Sequence, residues 1–157
     1  MGDWDDIHLL PGEPADLPLI FQLEHAYITD YEPQNIRAWQ SAMNRHLEQW
    51  VRCLPYTVVG AVGGEKVGYM FWEKASLTAT LASIHVKSDY RRRAIGRLLL
   101  ASFEENAARL GCEIAELHVF EGNPAIRFYE AAGYAIIGNV GSYLTLSKDL
   151  DVRLNPS

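Results

Sequence analysis

The sequence predicts an α/β domain, a mixed and mostly antiparallel sheet of seven strands flanked by four helices. Three observations carry this. Apolar residues in the first third recur at helical spacing, and from Tyr56 onward the period shortens to that of strands. Two apolar runs on either side of Gly63-Gly64 give a hairpin signal. Two later strands each lead into an amphipathic helix, and a strand-to-helix connection of that kind calls for parallel pairing.

Taken in order, Ile7 to Leu10 is a short apolar run stopped by Pro11-Gly12, a first strand. Leu17, Ile20, Phe21, Glu24 and Ile28 share one helical face, with Pro14 and Pro18 tolerable only near the helix start. The stretch Thr29 to Pro33 breaks that pattern. Ile36, Trp39, Met43, Leu47 and Trp50 then define a second helix, ended by Leu54-Pro55. The hairpin pairs Tyr56 to Val62 with Lys66 to Glu73, and a fourth strand runs from about Ala79 to Val86. Ile95, Leu98, Leu99, Phe103, Ala107 and Leu110 form the apolar face of the third helix, with Gly111 placed as its C-terminal cap. Glu113 to Phe120 is the fifth strand. Asn123-Pro124 opens a fourth helix that ends at Gly133, and Tyr134 to Gly138 and Tyr143 to Leu150 complete the sheet.

At 157 residues the chain is expected to form one domain, residues 1–157, with a sizeable core. A net charge of −6 argues against general nucleic-acid binding, because the one basic cluster, Arg91 to Arg93 with Arg97, is too local for a duplex footprint. The acidic balance suits a cationic amine better than a polyanion. Cys53 and Cys112 read as free thiols in a reducing cytoplasm, and no Cys or His spacing suggests a metal. The apolar runs are too short to span a bilayer.

The join between strand 4 and helix 3, Tyr90-Arg91-Arg92-Arg93-Ala94-Ile95-Gly96, is basic and then small. Helix N-termini present unpaired N–H groups and the positive end of a dipole, small residues let a backbone approach an anion, and arginine adds charge-assisted hydrogen bonds. The stretch therefore reads either as a diphosphate cradle, running to Arg97, or as arginines facing water. It resembles the acetyl-CoA-binding motif of the GCN5-related N-acetyltransferases (GNAT), in which Gln or Arg, two residues, Gly, one residue and Gly or Ala open a helix. Arg91, Ala94 and Gly96 stand in those places, with Ala94 replacing the usual Gly. A second segment, Asn123 to Tyr134, is similar to the family's motif after strand 5: Ala125, Tyr129, Gly133 and Tyr134 match in spacing, while Asn123 lies one residue closer to the alanine. The element order resembles the GNAT fold from Ile7 to Leu150.

The resemblance implies an acetyl-CoA-dependent N-acetyltransferase acting on an amine-bearing substrate. It implies that backbone groups around Ile84, His85 and Val86 bond the pantetheine arm, that the Arg91–Arg97 stretch with Asn123, Ala125, Phe128 and Tyr129 borders acetyl-CoA, and that Tyr129 is the acid beside the sulfur. From spacing alone Tyr129 and Phe128 read equally as aromatics packing a helix on the sheet. Acyl transfer to an amine also requires a base. His118 alternates against Leu117 and Val119 and stands where some relatives carry Glu, and a histidine's ordinary pKa of about 6.5 suits that task. His85 is the rival base; either histidine reads equally as a satisfied residue of the sheet. Tyr27, Asp30, Tyr31 and Glu32, near the first helix-to-helix loop, combine aromatic and acidic character fit for an ammonium group, and they also read as ordinary loop residues. Glu73 reads as a second amine holder or as solvated surface. A non-catalytic acyl-CoA-binding or regulatory domain of the same fold is the alternative, favoured by Ala94 and the shortened Asn123 segment, and a homodimer is compatible with either.

Overall fold

The computed structural model of the chain describes residues 6–91 and 94–151. Arg92, Arg93 and the terminal residues from Val152 lie outside the described residues. The strands are β1 (Ile7–Pro11), β2 (Thr57–Val62), β3 (Glu65–Ala75), β4 (Thr78–Val86), β5 (Ile114–Phe120), β6 (Ala135–Val140) and β7 (Tyr143–Asp149). The α-helices are α1 (Leu17–Tyr31), α2 (Ile36–Ser41), α3 (Met43–Arg52), α4 (Ile95–Arg109) and α5 (Ile126–Ala131). The seven-stranded sheet has the order β1-β2-β3-β4-β5-β7-β6. β4 and β5 pair in parallel from Thr78 with Ile114 to Leu81 with Leu117. β1–β2, β2–β3, β5–β7 and β6–β7 pair antiparallel.

The fourth helix was expected to lead into a second parallel pairing. Instead β7 inserts between β5 and β6, so α5 carries the chain past one strand position and β6 becomes an edge.

The residues fall into two compact units: those up to Phe71 with Ser83–Ala101, and Trp72–Ala82 with those from Ser102 onward. The first unit packs α1, α2 and α3 on β2 and β3. Ile20, Trp50, Val59 and Tyr69 are fully buried, with Leu23, Trp39, Cys53 and Phe71 beside them. Burying each large apolar side chain here contributes roughly 1.5–3 kcal/mol. Pro14 sits in a 3-10 turn (Pro14–Asp16) and Pro18 in the first turn of α1, where a missing N–H costs little. Asp16, 1% exposed, accepts the Glu13 N–H at 2.9 Å and the Lys66 ammonium at 2.6 Å, tying this turn to β3.

The spacing from Ile36 to Trp50 predicts one helix, and the chain forms two. Ala42 leaves the helical region (φ −95°, ψ 13°) and its N–H is shared between the Ala38 and Trp39 carbonyls at 3.1 and 3.2 Å. The apolar spacing survives such a local tightening, so it gives no sign of the break.

In the second unit α4 ends as expected. Gly111, at φ 89°, follows a 3.0 Å bond from its N–H to Ala108 O, and the Cys112 N–H reaches Ala107 O at 3.0 Å. Gly133, at φ 102°, ends α5 with the same pair of bonds, Gly133 N–H to Glu130 O and Tyr134 N–H to Tyr129 O. The start of α5 differs from expectation. Asn123 does not cap it; its Oδ1 accepts the Ala125 N–H two residues on at 2.8 Å, and the helix begins at Ile126 with Ala125 as N-cap. Asparagine makes this local turn readily, which competes with capping.

Candidate active site

In the first unit, the end of β4 and the start of α4 are held by β2 and β3. Lys87 N–H donates to Val67 O at 2.7 Å, and Glu65 accepts the Tyr90 hydroxyl at 3.1 Å and the Lys87 ammonium at 3.3 Å. Glycines permit the close fit. A Cβ on Gly68 would lie 2.9 Å from His85 O, and one on Gly60 would lie 3.1 Å from Ile95 Cγ2. Ile84, His85 and Val86 are half-buried at the end of β4. Arg91 is exposed, with its Nε donating to Val86 O at 3.2 Å.

Within the join, Ala94 is 7% exposed and Ile95 fully buried, whereas Gly96 is half-buried and Arg97 exposed. The Leu98 N–H bonds Ala94 O at 2.9 Å as α4 begins. The methyl that distinguishes Ala94 from the usual Gly is thus taken up by the protein rather than offered to solvent. The small, accessible position is Gly96, on the first turn of a helix whose leading N–H groups are turned outward along its axis.

α1 faces the same part of β3 and β4. The ring of Tyr27 lies 5.1 Å from that of His85 and 5.4 Å from that of Tyr31, and His85 lies 5.9 Å from Tyr69. Beside them the Glu24 carboxylate accepts the Ser83 hydroxyl at 3.0 Å and the Tyr69 hydroxyl at 3.3 Å, while Tyr69 and Ser83 are 2.8 Å apart. Burial pushes the Glu24 carboxyl up, against the lowering effect of these hydrogen bonds. Burial first, and then the Arg91 charge, lower His85 from 6.5 to about 4. A histidine so depressed is neutral near pH 7 and a poor proton acceptor there.

The structure therefore brings together Tyr27, Tyr31 and His85 from the sequence-predicted set and adds Glu24, Tyr69 and Ser83. Two signals pointed to the additions. Glu24 is a carboxylate inside an otherwise apolar helical stripe, three residues before Tyr27, and Ser83 shares a strand face with His85 by the two-residue period. Glu32 is 4% exposed and accepts the Asn35 side-chain N–H at 2.9 Å across the turn between α1 and α2. Asp30 is exposed.

In the second unit, Tyr129 is 7% exposed on α5, edge-on to Phe128 at 5.3 Å and to Tyr134 at 6.1 Å. Burial raises its phenol well above the ordinary value, which keeps it protonated. Ala125 and Asn123 form the turn before α5 and are half-buried. His118 is exposed on β5, with Nδ1 3.1 Å from Thr145 Oγ1 and Nε2 3.6 Å from a Glu116 oxygen. Glu73 is half-buried near the end of β3. Among the described residues no group of three or more His, Cys, Asp or Glu is placed to hold a metal ion, and no helix is long and apolar enough to cross a membrane.

Comparison with solved structures finds the same fold in several proteins. The PaiA N-acetyltransferase of Thermoplasma acidophilum, in complex with coenzyme A, superposes with a TM-score of 0.78 at 18% identity, covering 91% of this chain and 98% of that one. Ard1 of Thermoplasma volcanium gives 0.75 at 20% identity, over 92% and 98%. The ribosomal-protein-S18-alanine N-acetyltransferase of Escherichia coli gives 0.67 at 20%, over 92% and 94%. No match to a curated protein was found. Residues 21–134 match the family model described as "Acetyltransferase (GNAT) family". That stretch contains both the α4 join and the Tyr129 helix, and with it the chain belongs to the GNAT acetyltransferase family.

Proposed function

We propose that this protein is an N-acetyltransferase that moves the acetyl group of acetyl-CoA to a primary amine of a small molecule or of a peptide N-terminus. The observation that carries the reading is Tyr129: it matches in spacing the tyrosine of the family's second motif, and it sits buried on α5, where burial keeps its phenol protonated. The α4 start fits a diphosphate, with Gly96 accessible, exposed Arg91 and Arg97 near it in sequence, and the Ala94 methyl turned away from solvent. Bound acetyl-CoA supplies the activated acyl group and the thiolate leaving group. In this reading Ile84, His85 and Val86 hold the pantetheine arm through their backbone, Ala125, Asn123 and Phe128 border it, and Tyr129 returns a proton to the departing sulfur. Tyr27 and Tyr31 offer aromatic faces to the amine.

A CoA-release assay with polyamines, amino acids, aminoglycosides and peptide N-termini, run beside direct acetyl-CoA binding, tests this. Turnover of an amine with micromolar-to-millimolar KM supports the reading. Acetyl-CoA binding without turnover of any acceptor supports a non-catalytic acyl-CoA-binding domain instead.

A further inference from the structure

The mechanism above lacks a convincing base. His85 is neutral and depressed, and His118 is an exposed side chain engaged with Thr145. The first unit holds another candidate that the family motifs do not include. Glu24 projects from the middle of α1 into the face formed by β3 and β4, where Ser83 and Tyr69 both donate to it. Ser83 lies two residues before His85, on the strand whose end is assigned to the pantetheine arm.

The indoles of Trp39 on α2 and Trp50 on α3, 7% and 0% exposed, pack in the same core cluster as Tyr69. Their N–H groups make no well-formed hydrogen bond among the described residues, yet both lower the pKa of Glu24. Both are buried donors that favour the carboxylate in its ionised form. Burying a donor without an acceptor costs about 1–3 kcal/mol. The arrangement is suited to a group whose charge changes: when Glu24 is ionised, Ser83, Tyr69 and both indoles favour the anion, and when it is protonated the apolar surroundings favour the neutral acid.

We infer that Glu24 is the proton acceptor for the amine, with Ser83 and Tyr69 as the hydroxyl groups that position its carboxylate and pass the proton. The inference rests on the transferase reading. The amine arrives as R–NH3+. Glu24 takes one proton, leaving R–NH2 and the neutral carboxylic acid. As the N–C bond to the acetyl group forms, the C–S bond breaks; the amine's second proton ends on the thiolate through Tyr129, and Glu24 returns its proton to water.

Neither Tyr69 nor His85 takes the proton in its place. Tyr69 is held well above its ordinary value by burial and by Glu24 itself, and His85 is neutral above about pH 4. The Tyr27 ring lies 5.1 Å from that of His85. The His46 ring stacks on Trp39 at 5.6 Å and lies 6.1 Å from Trp50, and the His25 ring lies tilted to Trp39 at 5.7 Å; burial lowers His46.

The test is the pH dependence of CoA release, from pH 5.5 to 9.5, with the best amine from the acceptor panel. The parent is compared with Glu24→Gln, Glu24→Asp, Ser83→Ala and His118→Ala, with acetyl-CoA affinity and thermal midpoint measured for each. Loss of a base typically costs ~10²–10⁴-fold. We expect Glu24→Gln to fall by that order near pH 7 and to recover part of the loss toward pH 9.5, where more amine is already neutral. Acetyl-CoA affinity should stay within threefold, and Glu24→Asp should restore part of the rate. Glu24→Gln with the parent's rate and pH profile overturns the inference. So does a loss equal at every pH that tracks a fallen thermal midpoint, or a profile flattened by His118→Ala instead. A parent that binds acetyl-CoA and acetylates no amine overturns the transferase reading itself, an outcome distinct from an active parent with an equally active Glu24→Gln.

Discussion

In the proposed reaction one side chain, Tyr129, meets two demands. Its ring packs against Phe128 and Tyr134, which is what its spacing beside an apolar face predicts, and the same burial keeps its hydroxyl protonated. Packing and acid chemistry are therefore separable only by removing the hydroxyl alone. Tyr129→Phe retains the ring, so its thermal midpoint should stay close to the parent's while turnover drops by the ~10²–10⁴-fold typical of a lost general acid. Acetyl-CoA affinity should change little. A stability loss in proportion to the activity loss would assign Tyr129 to packing. At the same scale, Ala94 illustrates why a motif mismatch need not be a functional one: at 7% exposure its methyl fills the protein interior.

At the scale of elements, the β4-to-α4 join depends on how closely neighbouring backbones approach. Gly96→Val would place a branched side chain on the first turn of α4, at the half-buried position where the proposed function puts the diphosphate, and acetyl-CoA binding measured by calorimetry should weaken by well over tenfold. Gly68→Ala acts from beneath. Its Cβ would meet the His85 carbonyl at 2.9 Å, and a backbone oxygen cannot swing aside, so β3 or the end of β4 must shift. Overpacking of this kind costs ~1–3 kcal/mol, readable as a lower urea midpoint, with weaker acetyl-CoA binding because His85 moves with its strand. Neither approach is visible in a linear string, where Gly68 is one glycine in a strand. What the sequence does display is period and punctuation. The strands, α1, α4 and the glycine stops at Gly111 and Gly133 follow from those. The break at Ala42 and the inward turn of Asn123 do not, because each is decided by competition among local hydrogen bonds that leaves the residue pattern unchanged. The candidate site divides the same way. Tyr27, Tyr31 and His85 were legible as chemistry-bearing residues, whereas Glu24 was absorbed into an apolar stripe until β3 and β4 supplied its partners.

For the whole molecule, the buried titratable groups of the first unit set how stability depends on pH, and two of them pull in opposite directions. Glu24 has a raised folded pKa, so the folded state binds its proton more tightly, and stability from this group is lost as pH climbs above the ordinary carboxyl range. His85 has a depressed folded pKa. Its stabilising contribution is complete above 6.5, the unfolded value, and is lost as pH falls toward about 4, because the unfolded chain takes up a proton that the folded chain refuses. A shift of that size corresponds to about 3.5 kcal/mol at most, since each pKa unit is worth about 1.4 kcal/mol. Urea unfolding of the parent at pH 7 and pH 4.5, set against His85→Asn, isolates the histidine because Glu24 and every other carboxylate are common to both chains. The parent should lose more stability than His85→Asn on acidification, by ~1–3 kcal/mol between those two pH values. Equal losses in the two chains would mean that His85 protonates in the fold as readily as it does in the unfolded chain, and would restore it as a competitor to Glu24 for the amine's proton.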